Sequence, residues 1–263
     1  MTRRDISCFL IVCNEADRIE RCLNSLASWV DQLVILDSGS TDGTLEICQR
    51  YSKEVYSTDW PGFGAQRNRA LEKCRHDWVL NIDADEELSD ALKEEINELL
   101  SREKIDCNLV KIPWRTMLFG KALRFGRYSS PQGKLFKKAG AAFKQRSVHE
   151  TLILPTEKSV TTRHALTHHS WRDYRHLIDK HTSYAMLSAQ DKFHAGKKSS
   201  LAYAMLRLST DFIHHYFFRL GILDGWRGLL MAAVLAQYAF HKYACLWTLH
   251  QDKKNRDDDE SSD

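Results

Sequence analysis

The sequence has only four prolines and 12 glycines in 263 residues, too few for a collagen-like or linker-rich chain. It also lacks any C-x-x-C spacing. Cys8, Cys13, Cys22, Cys48, Cys74, Cys107 and Cys245 are odd in number and scattered, which argues against a disulfide framework or a zinc site and fits a reducing cytosol. Excess charge of one sign is scarce: a formal net charge of +3 does not suit a general nucleic-acid binder, which concentrates basic residues. Long apolar runs are missing too. The longest, Gly228 to Phe240 interrupted by Gln237, falls short of the roughly 20 residues a bilayer span needs. The apolar run Ile6 to Cys13 ends in Asn14-Glu15 without a small-residue cleavage site, so no signal peptide is expected. There is no internal repeat. What is present, 43% hydrophobic and 28% charged residues, is ordinary globular composition and enough for one sizeable core with an appendage.

From Ile6 to about Pro113, short apolar runs alternate with amphipathic stretches. Strands are predicted at Ile6 to Cys13, Leu33 to Asp37, Val55 to Ser57, Trp78 to Ile82 and Asn108 to Ile112. Between them, Ile19, Cys22, Leu23 and Leu26 repeat at helical spacing, Thr44 to Tyr51 and Gln66 to Cys74 read as helices, and Ser89 opens a fourth. This alternation predicts βαβ units: an α/β chain with a mostly parallel, Rossmann-like sheet and helices on both faces. Ligands bind such sheets beyond the carboxyl ends of the strands, which points at Asn14 and Glu15, at Asp37 to Asp42, and at Asp83 to Glu87. Residues 114 to 165 read as irregular, basic and aromatic, with loop signals at Gly120, Gly126, Pro131-Gln132-Gly133 and Gly140. Three helices are expected beyond His169, at about Tyr174 to Ala195, Leu201 to Arg219 and Gly225 to His250.

Three constellations can carry chemistry. In Asn81-Ile82-Asp83-Ala84-Asp85-Glu86-Glu87, two or three carboxylates crowd a turn and repel one another unless a cation intervenes; a hard divalent ion is one answer, an acidic helix start the other. In Asp37-Ser38-Gly39-Ser40-Thr41-Asp42-Gly43-Thr44, helix capping accounts for Ser40, Thr41 or Asp42 but not for Asp37, an acceptor placed for a base or ribose. In Gly64-Ala65-Gln66-Arg67-Asn68-Arg69, Arg67 is either a phosphate or nucleobase contact or a surface arginine.

Together these motifs resemble glycosyltransferase family 2, the inverting enzymes of GT-A fold. The resemblance rests on Leu10-Ile-Val-Cys-Asn14-Glu15, Asp37-Ser-Gly-Ser-Thr-Asp-Gly-Thr44, Arg67-Asn68-Arg69-Ala70 and Asp83-Ala-Asp85-Glu86, in order and at fitting spacing over roughly residues 5 to 112. Two positions depart from the family pattern: Cys13 stands where an aromatic residue is usual, and Ser38 where a second aspartate is usual. The resemblance implies a nucleotide-sugar donor, a divalent metal (Mg²⁺ or Mn²⁺) and single displacement with inversion. Asn14, Glu15, Asp37, Arg67 and Asp83 would then bind the donor and Asp85 the metal, with His149, or one of His168 and His169, as a further ligand. Glu150, beside a short apolar strand, is the candidate base. The corresponding organisation is a nucleotide-sugar-binding catalytic domain over 1–170, a helical region over 171–250 and a disordered acidic tail over 251–263.

Further motifs narrow the resemblance: Gly126-Arg-Tyr128, Lys134-Leu-Phe136, Val148-His-Glu150, His169-Ser170, and Phe217 to Gly228 followed by Lys242-Tyr243. These look like the branch that glycosylates the inner core of lipopolysaccharide, usually moving glucose from UDP-glucose onto a heptose. Ten cations, Lys111 to Arg146 and including Lys134, suggest a basic face toward a phosphorylated lipid acceptor. The aromatic and cationic helices after Leu201 suit a membrane surface or simple packing on the catalytic domain. The expected location is cytoplasmic, peripheral on the inner face of the inner membrane. Two other readings stay open: transfer to another lipid-linked or polysaccharide acceptor, and a non-catalytic nucleotide-binding membrane adaptor. The intact Asp83-x-Asp85 pair speaks against the second.

Overall fold

The nearly unbroken apolar run after Asp5 forms β1 (Ile6–Val12), buried on both faces as a central parallel strand must be. In the computed structural model, which describes residues 3–144 and 151–260, α1 (Ile19–Leu26), β2 (Gln32–Asp37), α2 (Thr44–Tyr51), β3 (Glu54–Ser57), α3 (Phe63–Lys73), β4 (Trp78–Asn81), β5 (Glu86–Glu87) and α4 (Asp90–Leu100) follow. Ser89 caps α4 as expected, its Oγ accepting the Leu92 N–H at 3.3 Å. Then come β6 (Leu109–Leu118), β7 (Lys121–Ala122), β8 (Pro131–Lys137), β9 (Ala142–Lys144), β10 (Thr151–Ile153), β11 (Ser159–Thr161) and β12 (Leu166–His168). Three helices close the chain: α5 (Tyr174–His194), α6 (Leu201–Ile213) and α7 (Trp226–Glu260).

Contacts divide the chain into two compact units, Met1–Met117 with Ser129–Ser170, and Leu118–Tyr128 with Trp171–Asp263. In the first, the strand order is β3-β2-β1-β4-β8-β6-β12-β5, with β11 also on β6. β1 runs parallel to β2 and β4, and β2 parallel to β3. Alternate residues of β1 feed two cores. Ile6, Cys8, Leu10 and Val12 pack with α1 and α4, whereas Phe9 packs with Ala70, Leu71 and Cys74 from α3 and its flank, and with Phe143. Helices thus cover both faces, and the α/β, GT-A-type architecture holds.

The stretch read as irregular is largely sheet. β8 inserts antiparallel between β4 and β6, an arrangement set by partners distant in sequence. Its Gly133, read as a loop signal, lies within the strand. A Cβ there would sit 3.1 Å from Leu109 Cδ1, and the β6 ladder shifts register between Val110 and Lys111 at the same place.

In the second unit, Leu118, Leu123, Leu177, Met231 and Val234 form the core. The second helix runs on as expected almost to Arg219, its last turn, His214–Phe218, widening to π geometry; Leu220 at φ 58° and a 3₁₀ turn, Gly221–Asp224, follow it. α7 continues to Glu260, through most of the stretch expected to be a disordered tail, adding residues to a helix already nucleated. The stretch Trp226–Asn255 of α7, which extends beyond the interrupted run Gly228 to Phe240 on both sides, is long and apolar enough, by length and composition alone, to cross a membrane.

Candidate active site

The chain places β2 and β3 on one side of β1 and returns with β4 on the other. Open α/β sheets bind ligands at such a reversal, outside the carboxyl ends of the strands, here those of β1 and β4. Parallel register sets Val12 beside Asp37 and Phe9 beside Asn81, so the segments after β1, β2 and β4 emerge at one edge.

Asp37 ends β2 and is 2% exposed. Its Oδ2 accepts the N–H groups of Gly39 and Ser40, each at 3.1 Å, in a turn that needs the positive φ of Gly39. Its Oδ1 is buried without a hydrogen-bond partner among the described residues. Asn14, at φ 55°, donates its N–H to Ser40 Oγ (2.9 Å) and accepts the Thr41 N–H (2.8 Å), so it ties the loop after β1 to the loop after β2. The Glu15 N–H reaches Thr44 Oγ1 at 2.8 Å, and its carboxylate pairs with Arg18 at 2.7 Å. The N-cap of α2 is Gly43 at φ 89°, which has no side chain to offer, and none of Ser40, Thr41 and Asp42 occupies that position; Asp42, just before it, accepts from the Thr44 N–H and hydroxyl.

Arg67 is no surface arginine. It projects from α3, 6% exposed, and donates to Asn81 Oδ1 and, at 2.8 Å, to Asp83 Oδ1. Lys134, carried in by β8, donates to Asp83 Oδ2 at 3.0 Å and to Glu86 Oε2 at 2.7 Å. It is 4% exposed and therefore contributes nothing to a basic outer face. Glu86, 1% exposed in β5, is not an acidic helix start; it also accepts the Trp114 indole N–H at 2.6 Å and the Asp83 N–H at 2.9 Å. Burial opposes the Asp83 charge, but Arg67 and Lys134 outweigh it and hold its carboxyl well below the usual carboxylate range. Burial pushes Glu86 upward, against the pull of Lys134. The Lys134 ammonium, disfavoured by burial, is raised overall by Asp83 and Glu86.

Asp83 thus supports folding in its ionised form. Its folded value lies below the ordinary 3.8, so this support is complete above pH 3.8 and fades as pH falls toward the folded value. The stability gap between the wild type and Asp83→Asn should be widest at neutral pH and narrow in acid. Urea unfolding across a pH series measures it, and a constant gap would contradict the assignment.

Asp85 has different company. Its Oδ2 lies 3.4 Å from His168 Nε2 and 3.5 Å from Arg18 Nη1, and its carbonyl accepts the His169 N–H at 2.8 Å. His168 stacks on Trp114 with ring centroids 4.5 Å apart, and its Nδ1 is buried without a hydrogen-bond partner among the described residues. His169 faces Glu87 at 3.2 Å instead. Among the described residues no three His, Cys, Asp or Glu side chains gather as a metal cluster; Asp85 and His168 are a two-donor set. His149 and Glu150 lie outside the described residues. Nothing local in the sequence marks Arg18 and Trp114 or sets Lys134 apart from the basic residues around it, because no local pattern distinguishes a buried partner of Asp83, Asp85 or Glu86 from an ordinary surface residue.

Comparison with known proteins agrees with this architecture. The family described as Glycosyl transferase family 2 matches residues 7–152. An uncharacterized glycosyltransferase of Rickettsia bellii is 30% identical over 258 residues, covering 92% of this chain and 86% of the relative. A lipopolysaccharide core biosynthesis glycosyltransferase, LpsC, of Rhizobium meliloti is 28% identical over 253 residues, 93% of each chain. Among solved structures, glucosyl-3-phosphoglycerate synthase of Mycobacterium tuberculosis, in complex with Mg²⁺ and uridine diphosphate, aligns at 32% identity and a TM-score of 0.37 over 43% of this chain. The chain spans 44% of that enzyme's length.

Proposed function

The chain belongs to glycosyl transferase family 2, and we propose that it moves a hexose, glucose from UDP-glucose, onto an inner-core sugar of lipopolysaccharide such as heptose. The observation that carries the donor part is the buried Asp37 Oδ1, which has no hydrogen-bond donor among the described residues, at the sheet edge from which the Asp83–Asp85 turn emerges. A buried acceptor without a partner is costly, and an imide N–H or ribose hydroxyl of a nucleoside supplies one. The acceptor part is supported by the LpsC relative, which matches along nearly its whole length.

Each carboxylate has its own task. Asp83, held ionised by Arg67 and Lys134, is an acceptor for donor hydroxyls rather than a free anion. Asp85 and His168, whose Oδ2 and Nε2 lie 3.4 Å apart, would hold a divalent cation, Mg²⁺ or Mn²⁺, through a hard carboxylate oxygen and an imidazole nitrogen. A cation held there would supply positive charge against the charge developing on the leaving diphosphate. Glu150 takes the proton of the acceptor hydroxyl as its oxygen attacks the anomeric carbon, and the sugar–phosphate bond breaks on the opposite side with inversion. The acceptor is lipid-borne, so the reaction belongs at the cytoplasmic face of the inner membrane.

The test is a panel of nucleotide sugars against soluble, truncated core oligosaccharides, with Mn²⁺ or with EDTA. Manganese-dependent transfer from UDP-glucose to a heptose-bearing acceptor is expected. Transfer confined to a polyprenyl-linked sugar would replace the acceptor, and nucleotide binding without any turnover would favour the adaptor.

A further inference from the structure

The end of the helical unit formed by residues 118–126 and 214–229 combines two properties that rarely coincide: it is strongly apolar outside and tightly held inside. Phe217, Phe218, Leu220, Ile222, Leu223 and Trp226 are 44% to 77% exposed within ten residues of chain. Such a dense exposed cluster marks an interaction surface.

It is not a slack loop. The Gly126 N–H donates to the Arg219 carbonyl at 3.1 Å. The Asp224 carboxylate accepts the N–H groups of Arg124 and Phe125 at 3.1 and 3.0 Å. The Arg227 guanidinium donates to the carbonyls of Leu118 and Phe119, each at 3.0 Å, and lies 4.3 Å from the Trp226 ring centroid. Phe119 stacks on Trp226 with an interplanar angle of 11°. Gly228 is buried against Gly221, and a Cβ there would run into the Gly221 carbonyl. The framework bonds are made underneath, while the large apolar side chains are left outside.

The charge pattern identifies the occupant. These two segments hold four cations, Lys121, Arg124, Arg219 and Arg227, against one acid, Asp224, whose carboxylate is taken up by backbone N–H groups. A protein interface depletes charge around its apolar centre; an aromatic and aliphatic cluster with cations interspersed along the same segments suits the headgroup boundary of an anionic bilayer. Much of the apolar surface of α7 is used elsewhere, with Met231, Ala232, Val234, Leu235 and Ala239 buried.

We propose that this end of the helical unit is a membrane-inserting tip, which seats Phe217, Phe218, Leu223 and Trp226 in the interface of an anionic lipid surface. The proposal deepens the preceding reading and rests on it for its purpose, access to a lipid-borne acceptor.

Sedimentation of the full chain with vesicles of phosphatidylethanolamine and phosphatidylglycerol, beside neutral phosphatidylcholine vesicles, tests it. Wild type should bind the anionic vesicles more tightly. Phe218→Ser and Leu223→Ser should each weaken binding by about tenfold, the scale of one large apolar side chain returned to water. Lys121→Gln should reduce the preference for anionic lipid. Both serine positions are exposed, so turnover on a soluble truncated acceptor should stay at the wild-type level. Unchanged vesicle binding in the double serine variant would overturn the tip and leave the proposed reaction standing. Tip-dependent vesicle binding in a protein inactive on every core acceptor would do the reverse. If the double variant instead abolished self-association in sedimentation velocity and left vesicle binding intact, the surface would belong to a second copy of the chain and the proposal would fail.

Discussion

With Asp85 replaced by alanine, transfer should fall by roughly 10²–10⁴-fold, because a catalytic cation supplies several kcal/mol of charge stabilisation and each 1.36 kcal/mol is a decade in rate. The fold should survive. Arg18 keeps Glu15 at 2.7 Å, His168 keeps its stacking on Trp114, and the Asp85 main chain still accepts the His169 N–H. A silent core would separate this variant from one that is merely unfolded. The measurements are the transfer rate at saturating Mn²⁺, the calorimetric affinity for Mn²⁺ alone, and the melting temperature. Loss of turnover and of Mn²⁺ binding with an unchanged melt is the expected pattern. Undiminished turnover together with undiminished Mn²⁺ affinity would remove Asp85 from the site. His168→Ala should follow the same pattern more weakly, since the carboxylate, not the neutral imidazole, carries the opposing charge.

How far the sequence foretold this arrangement depends on whether the deciding contacts are local. β1 to β4 and their helices were legible because apolar periodicity is written within windows of a few residues, and parallel βαβ connections have one hand. The edge carrying Asp37, Asp83 and Asp85 follows from that topology without further information. β8 was not legible. Its Pro131 and Gly133 look like turn residues, and only its antiparallel partners β4 and β6, and the Leu109 side chain crowding Gly133, make it a strand. Lys134 arrives with β8, so the cation that balances Asp83 and Glu86 was read as part of an exterior basic face. Glu86 was open to the opposite error, as a solvated helix start, for the same reason. The π geometry of the last turn of the second C-terminal helix, and Leu220 adopting φ 58° just after it, are features that no residue pattern announces.

Lys134→Met should cost about 3–5 kcal/mol of stability, the penalty for stripping a buried ion of its partner, and so lower the melting temperature by roughly 6–20 °C for a chain of this size. The Lys134 side chain is 5% exposed and that of Glu86 0%, so water cannot replace the lost ammonium at Glu86. Asp83 is less vulnerable: its side chain is 33% exposed and retains Arg67. The cost therefore falls mainly on Glu86, whose carboxyl is already driven upward by burial and is drawn back by Lys134 first of all. Adding Glu86→Gln to Lys134→Met removes the stranded charge, but its single amide oxygen can replace only one of the two carboxylate oxygens that accept separately from the Trp114 indole and the Asp83 N–H, so the double variant should recover part of the loss. A double-mutant cycle in urea unfolding measures the coupling, with more than about 1 kcal/mol expected between contacting ions. If Lys134→Met alone melts with the wild type, Lys134 is not the counter-ion of the turn that carries Asp83 and Asp85, and the division of labour between those two aspartates loses its structural basis.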